Sequence, residues 1–325
     1  MATDMEVINL ICPNCENELE RKESLYYCKD CSKEYPLRDG IVCFLDSDDT
    51  FYEGAYTATT NITFRNDRTS LKARLFFDVY RDPYFRAIRK YTKSVRNILD
   101  LGCGGGVRYL AQKGDAVGID LSYSSLKKVS DVYKLGVQAD ALKMPFPDDT
   151  FDLLISSYNF EHYLPNKKSN LLAQAYRVLK PGGYMILLFD CDNNNVLFRY
   201  LKTDEKLYKK SIVEHDKHYG LELAGVNLAR IKEAGFSIVE FSGLNKSVLQ
   251  YLPVYGWLAS YGDKSLSIKI LTRIILSLSK RRPFWIAYTA FVNWFDMLMT
   301  KILPLDHSRV LLVIAYKKGD AIHDQ

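Results

Sequence analysis

The sequence predicts an α/β protein: a mainly parallel sheet with helices on both faces, a small metal-held module in front, and a helical cap inserted before the last strand. Three observations predict it. From residue 97 onward, short β-branched runs alternate with helical patterns, and several of those runs end at a glycine or an acid. Four cysteines near the start stand as two CxxC pairs. More than sixty residues separate the sixth strand pattern from the seventh.

Composition bounds the class. The chain has 325 residues, 47% hydrophobic and 26% charged, which excludes wholesale disorder and fits one large and one small domain. Seven cysteines are too few and too unevenly placed for a disulfide scaffold. The formal net charge of +5 decides little about nucleic acid, but it is unevenly spread. Residues 1–60 are strongly acidic and 246–325 clearly basic. The opening MATDMEVINL has acids where a secretory signal needs a basic and then an apolar run. The stretch from Pro283 to Leu305 is interrupted by Asn293 and Asp296 and falls short of a clean span. The expectation is a cytoplasmic protein, with membrane association left open.

The front module comes first. Cys12-Pro-Asn-Cys15 is followed after twelve residues by Cys28-Lys-Asp-Cys31. Each CxxC turn can aim two sulfurs at one ion, and Zn2+ prefers four tetrahedral thiolates, so Cys12, Cys15, Cys28 and Cys31 are the predicted metal ligands. A module of this size buries little core, and metal would supply its folding energy. Cys43 lies in an alternating strand pattern and reads as a buried apolar residue. The paired CxxC with the following YPLRDGIV resembles the zinc-ribbon domain related to the activator subunit of tRNA methyltransferases, over about residues 6–46. That resemblance implies a structural or partner-binding role.

In NILDLGCGGG (97–106), Ile98, Leu99 and Leu101 suit a buried parallel strand, and the glycines allow a tight turn and close approach of a ligand to backbone. A helix N-terminus behind the loop would be electropositive. The dinucleotide fingerprint is missed, because its last glycine would fall on Val107. A second strand, Ala116 to Asp120, ends in an acid placed to accept two ribose hydroxyls. A third ends at Gln138, before Asp140, which is placed to accept from an adenine amino group. Phe151–Ser157 is a fourth strand, Leu171–Lys180 a helix stopped by Pro181-Gly-Gly, and Tyr184–Phe189 a fifth strand.

The strings LDLGCGGG, VGIDLS, ADALKMPFPDDTFDLLISS and EHYLPNKKSNLLAQAYRVLKPGGYMILL resemble the class I S-adenosylmethionine-dependent methyltransferases. They are most similar to the broad group holding ubiquinone/menaquinone C-methyltransferases and many small-molecule and glycan methylases. The resemblance covers 97–189 and implies a Rossmann-like seven-stranded sheet and S-adenosyl-L-methionine as cofactor. Position by position, it implies that Asp100, Gly102 and Gly104 face the methionine end. Asp120 would hold the ribose, Leu121 pack on the adenine, and Asp140 and Ala141 read its edge. Ser156 and Ser157 would line the site beneath the sulfonium. Cys103 reads as a small filler.

Methyl transfer from a sulfonium is an in-line displacement that needs positioning, and needs a base only when the acceptor must lose a proton. Base candidates are His162, just past the fourth strand, and His215 and His218, three apart before the next helix. Each has a plainer alternative: His162 packs the strand end, and the other two lie on a solvated loop. An HxxH metal site is a further, weaker alternative. Asp190, at the end of the fifth strand, is another site candidate.

The implied order is therefore a zinc-ribbon domain at 1–48, a linker with N-terminal helices at 49–95, the cofactor-binding core at 96–245, a helical cap at 246–307, and the last strand with the tail at 308–325. Leu71–Tyr91 reads as helical with a break at Pro83. In the cap, Leu271, Ile274, Ile275 and Leu278 form an apolar stripe beside Lys269, Arg273, Lys280, Arg281 and Arg282. The run 284–303 is rich in aromatic residues. Basic and aromatic helices of this kind serve as a lid, a homodimer face or a peripheral membrane contact over 264–303. The leading expectation is methyl transfer to a small-molecule, glycan or lipid-linked acceptor. An rRNA or tRNA methyltransferase is the alternative, which the acidic front module disfavours. A non-catalytic regulatory protein is a third, which the intact glycines and strand-end acids disfavour.

Overall fold

The computed structural model describes residues 8–48, 51–53, 82–129, 132–247, 249, 252–262 and 264–319. Its expected helix start at Leu71 lies outside these. Helix α1, Asp82–Tyr91, carries Pro83 in its first turn, where the missing N–H costs nothing, so this proline opens a helix instead of breaking one.

Among the described residues the sheet has eleven strands: β1 Glu20–Arg21, β2 Leu25–Cys28, β3 Lys33–Arg38, β4 Ile41–Cys43, β5 Asn97–Leu101, β6 Asp115–Asp120, β7 Leu135–Gln138, β8 Phe151–Ser157, β9 Leu179–Asp190, β10 Phe236–Leu244 and β11 Val310–Lys317. Their order is β1-β2-β3-β4-β7-β6-β5-β8-β9-β11-β10. The seven expected strands are β5 to β11. From β7 to β9 all pairs are parallel, while β11 runs antiparallel between β9 and β10. The chain builds outward from β5 in one direction and from β8 in the other, so the switch point lies between these two strands.

The front module is not a separate bead. β4 pairs in parallel with β7, with Val42 opposite Val137, and joins the antiparallel β1–β3 to the main sheet. Ile41, Val42 and Cys43 are all buried, which is why this short run is entirely apolar.

Each face of the sheet has its own core. Leu171, Leu172, Ala175 and Val178 of helix α4 (Pro165–Val178) pack with Leu99, Leu154 and Met185 on one face. Tyr84, Ala87 and Ile88 of α1 pack with Ile98, Leu188 and Ile314 on the other. Helix α4 starts earlier than its apolar pattern suggests, with Pro165 in its first turn, and stops at Val178. β9 then runs straight through Pro181-Gly-Gly, with Gly182 at φ 80°, so that motif lies inside a strand and stops no helix.

Between β10 and β11 the described residues form three α-helices, α8 (Leu252–Ala259), α9 (Leu266–Ser279) and α10 (Arg282–Ile302), and a short 3₁₀ turn at Leu305–His307. The helix over 252–259 was not foreseen. With α5 (Val196–Lys202) these elements enclose a third core of Phe198, Leu201, Val254, Tyr255, Leu258 and Tyr261.

Candidate active site

The glycine loop follows β5. Gly102, Gly104 and Gly106 have φ of 66°, 50° and 74°, a left-handed region that side chains with a Cβ rarely adopt. A Cβ on Gly102 would also stand 2.6 Å from the Asn159 side chain beyond β8, so the two strand ends meet there only because residue 102 is glycine. The helix behind the loop, α2 (Arg108–Ala111), is a single turn with no side-chain cap. The expected electropositive helix end is therefore small, and the loop's own N–H groups carry the polarity.

Those N–H groups are organised by Asp120. At the end of β6, its carboxylate accepts from Gly104 N–H at 2.8 Å and from Ser122 N–H at 2.9 Å. Burial pushes its pKa up, and these N–H donors pull it back in part. Asp140, past β7, accepts from Leu142 N–H at 2.9 Å, capping the 3₁₀ turn that begins at buried Ala141. Leu121 is half-buried, and its carbonyl accepts from Gln138 at 3.2 Å. Ser156 is buried and donates to the Leu101 carbonyl at 2.8 Å, tying β8 to the loop's root, while Ser157 is half-buried beside it. Cys103 is buried and packs against Gly118, where a Cβ would stand 2.7 Å from its sulfur.

Asp100 departs from expectation. It is buried, and its carboxylate receives a 2.6 Å hydrogen bond from Tyr133, whose hydroxyl in turn accepts from Val107 N–H at 2.6 Å. Burial pushes its pKa up to about 7, with the Tyr133 hydrogen bond opposing. Asp100 thus props the loop from beneath, through a tyrosine that no sequence pattern singled out.

Past the end of β8, His162 and His218 come together with ring centroids 5.1 Å apart. Burial lowers both pKa values, that of His162 to about 4, so its imidazole is neutral at physiological pH. His162 Nδ1 donates to the Lys217 carbonyl at 3.2 Å, and Tyr52 meets the His162 ring edge-on. His215 does not join them. Its side chain is 72% exposed and pairs with adjacent Asp216 at 2.8 Å. Lys217, with φ 51°, reverses the chain between the two histidines, so only His218 turns inward. Asp190 is buried and paired at 3.0 Å with Arg309, which immediately precedes β11.

Two more contacts were not foreseen. Glu53 accepts hydrogen bonds from the Ser124 N–H and hydroxyl, which ties residues 51–53 to the turn after β6. Lys217 lies 3.9 Å over the ring of Phe51 and holds the same segment against the loop that carries His218.

At the far end of the sheet, the four cysteines converge. Their sulfurs all lie within 4.8 Å of one another, with Cys15 and Cys28 3.5 Å apart. Cys31 N–H donates to the Cys28 sulfur at 3.4 Å, as a CxxC turn around an ion requires. Burial opposes ionisation of Cys12, yet the Tyr35 hydroxyl and nearby N–H groups lower its pKa to about 6. Four sulfurs so placed can hold one tetrahedral ion.

Residues 99–187 match the methyltransferase domain family. They are a class I methyltransferase domain. Tocopherol O-methyltransferase of Arabidopsis thaliana is 37% identical over 114 residues, covering 31% of this chain and 32% of that protein. Norajmaline N-methyltransferase of Rauvolfia serpentina is 29% identical over 185 residues, 51% of this chain and 60% of the relative. Demethylmenaquinone methyltransferase of Listeria monocytogenes is 29% identical over 171 residues, 45% and 71%. The chain thus spans about a third of the first relative and three fifths of the second. Phosphoethanolamine N-methyltransferase 2 of Haemonchus contortus, solved with S-adenosyl-L-methionine, superposes with a TM-score of 0.51 at 19% identity. That alignment covers 88% of this chain and 62% of the other and speaks to the fold. The matched segment of the methyltransferase domain contains the glycine loop, Asp120, Asp140 and His162.

Proposed function

We propose that the protein is an S-adenosylmethionine-dependent methyltransferase whose acceptor is an apolar or lipid-linked molecule met at an anionic membrane surface. The observation that carries the first half is the Asp120–Gly104 contact. It sets a carboxylate and a row of backbone N–H groups at the carboxyl ends of β5 and β6, beside the switch point where such folds bind nucleosides. Asp120 would hold the ribose hydroxyls, Asp140 and Ala141 the adenine edge, and Leu121 the adenine face. Gly102 and Gly104 would leave room for the methionine end, and Ser156 and Ser157 would line the floor. The cofactor, when bound, supplies a methyl group on a sulfonium.

The chain's own residues would hold the acceptor in line and keep water out. Phe51 and Tyr52 cover the crevice edge, and the neutral imidazoles of His162 and His218 supply polar contacts for an acceptor hydroxyl. The buried Asp190–Arg309 pair fixes the end of β9 next to His218.

The acceptor class rests on the cap. On α9, Leu266, Ile270 and Ile274 recur every four residues and are exposed, with Leu271 beside them. On α10, Phe291, Trp294, Met297, Leu298 and Ile302 are exposed as well. Part of the stripe expected to be buried, Leu271 and Ile274, thus faces outward, while Ile268, Ile275 and Leu276 pack inward. The exposed Arg273, Lys280, Arg281 and Lys301 surround this surface. The one acid on the two helices, Asp296, is 4% exposed and accepts the N–H groups of Asn245, Lys246 and Ser247. An apolar face with a basic rim and no outward acid complements an anionic bilayer. No helix among the described residues is long and apolar enough to cross a membrane, so the contact would be peripheral. In the front module, Zn2+ held by Cys12, Cys15, Cys28 and Cys31 would be structural.

The test is transfer of tritiated methyl groups from the cofactor into separated lipid, small-molecule and RNA fractions of a cell extract. Label in the lipid fraction supports the reading, label in RNA overturns the acceptor class, and no transfer to any fraction overturns the activity.

A further inference from the structure

Glu161 is fully buried, yet neither of its carboxylate oxygens makes a hydrogen bond. That is costly for a charged group: a buried carboxylate without a partner destabilises the fold unless a proton or a cation neutralises it. The nearest basic groups are committed elsewhere. Lys168 bonds the Gly220 carbonyl at 2.6 Å, Asn227 at 2.9 Å and Glu222 at 3.1 Å, and Arg309 is paired with Asp190. Burial and the charge of Asp190 disfavour an ionised Glu161, while the charge of Lys168 and the nearby backbone N–H groups of Glu161 and Asp190 offset only part of that.

What does converge on Glu161 is the histidine pair. One carboxylate oxygen of Glu161 and one ring nitrogen each of His162 and His218 all lie within 4.8 Å of one another. Three ligand atoms bound to one ion at roughly 2.0–2.2 Å stand about 3–3.8 Å from one another, so the three atoms would draw together by up to about 1 Å to seat a cation. The second layer is in place. His162 Nδ1 bonds the Lys217 carbonyl at 3.2 Å, the kind of outer contact that orients ligating imidazoles. His162 is half-buried, which gives an ion and an acceptor oxygen a way in.

We propose that Glu161, His162 and His218 form a binding site for a divalent transition-metal cation at the acceptor end of the crevice. Two imidazoles and one carboxylate suit a first-row divalent ion and leave coordination positions open. An acceptor hydroxyl or phenol would occupy one of these, with its acidity raised by the cation, so proton removal would not depend on a free imidazole. The inference rests on the methyltransferase reading for its role but not for its existence. This ion differs from the thiolate-held ion of the front module in position and ligand chemistry.

The test uses Mn2+, which favours nitrogen and oxygen over thiolates, on the full chain with its front module left metal-loaded. Free Mn2+ is followed by electron paramagnetic resonance, and cofactor binding by calorimetry on the same sample. The expected result is one Mn2+ per chain, weakened at least tenfold by Glu161→Gln and by His218→Ala, with a Mn2+-dependent rise in unfolding temperature lost in both variants. Absence of a bound Mn2+, or binding unchanged in Glu161→Gln, overturns the site, and Glu161 is then a protonated acid. Mn2+ binding without S-adenosylmethionine binding leaves the metal site standing and removes the methyltransferase reading. Cofactor binding without Mn2+ does the reverse.

Discussion

Tyr133 holds Asp100 and the glycine loop together with one hydroxyl, donating to the carboxylate at 2.6 Å and accepting from Val107 N–H at 2.6 Å. Burial raises the Asp100 pKa to about 7, above its ordinary value of 3.8, so the folded state favours the protonated acid. The resulting stabilisation is complete below about pH 4 and is lost as pH rises through 7. Urea unfolding of Asp100→Asn across that window should show a shallower loss of stability with pH than the native chain, by up to about 1.4 kcal/mol per pH unit. Equal slopes would refute the burial argument.

Asp120 makes a second prediction. Asp120→Ala should weaken S-adenosylmethionine binding by roughly thirtyfold or more, since two charge-assisted hydrogen bonds are lost and the loop N–H of Gly104 loses its anchor. Calorimetry measures this directly, and unchanged affinity would remove Asp120 from the site.

The front module gives a third. Metal analysis should find about one Zn2+ per chain, absent in Cys28→Ser. Circular dichroism of that variant should show loss of the short antiparallel strands, because the module has little core beyond Leu10, Tyr26 and Tyr35. A metal-free module that keeps its fold would end the assignment.

The cap gives a fourth. The double change Trp294→Glu with Leu298→Glu should cut sedimentation with phosphatidylglycerol vesicles at least tenfold and leave cofactor affinity unchanged. If the native chain ignores such vesicles and self-associates instead, the exposed face is a dimer surface.

The parallel sheet was legible because its signals are local. Apolar runs bounded by glycine or acid marked β5, β6 and β8, and the strings around Gly102 and Asp120 belong to a recognisable group. The site was less legible, because contacts across the chain have no sequence spacing. Nothing local pairs Tyr133 with Asp100, Glu53 with Ser124, or Glu161 with His218. His215 and His218 look equivalent in sequence, and only the reversal at Lys217 separates them. Asp296 read as an interruption of an apolar helix. In the fold it is a buried acceptor for three N–H groups that follow β10, and Lys246 returns the contact by bonding the Thr300 and Leu303 carbonyls.

The pairing of β4 with β7 has a consequence for how the chain behaves when metal is scarce. The Phe44 N–H bonds the Gln138 carbonyl at 2.8 Å and Gln138 reaches Asp48 at 2.7 Å, so the cysteine-bearing segment shields one border of the large sheet. Were that segment to melt, β7 would present a bare row of donors and acceptors, ready to zip onto another molecule. Chelation should therefore announce itself first as turbidity and only afterwards as lost cofactor affinity.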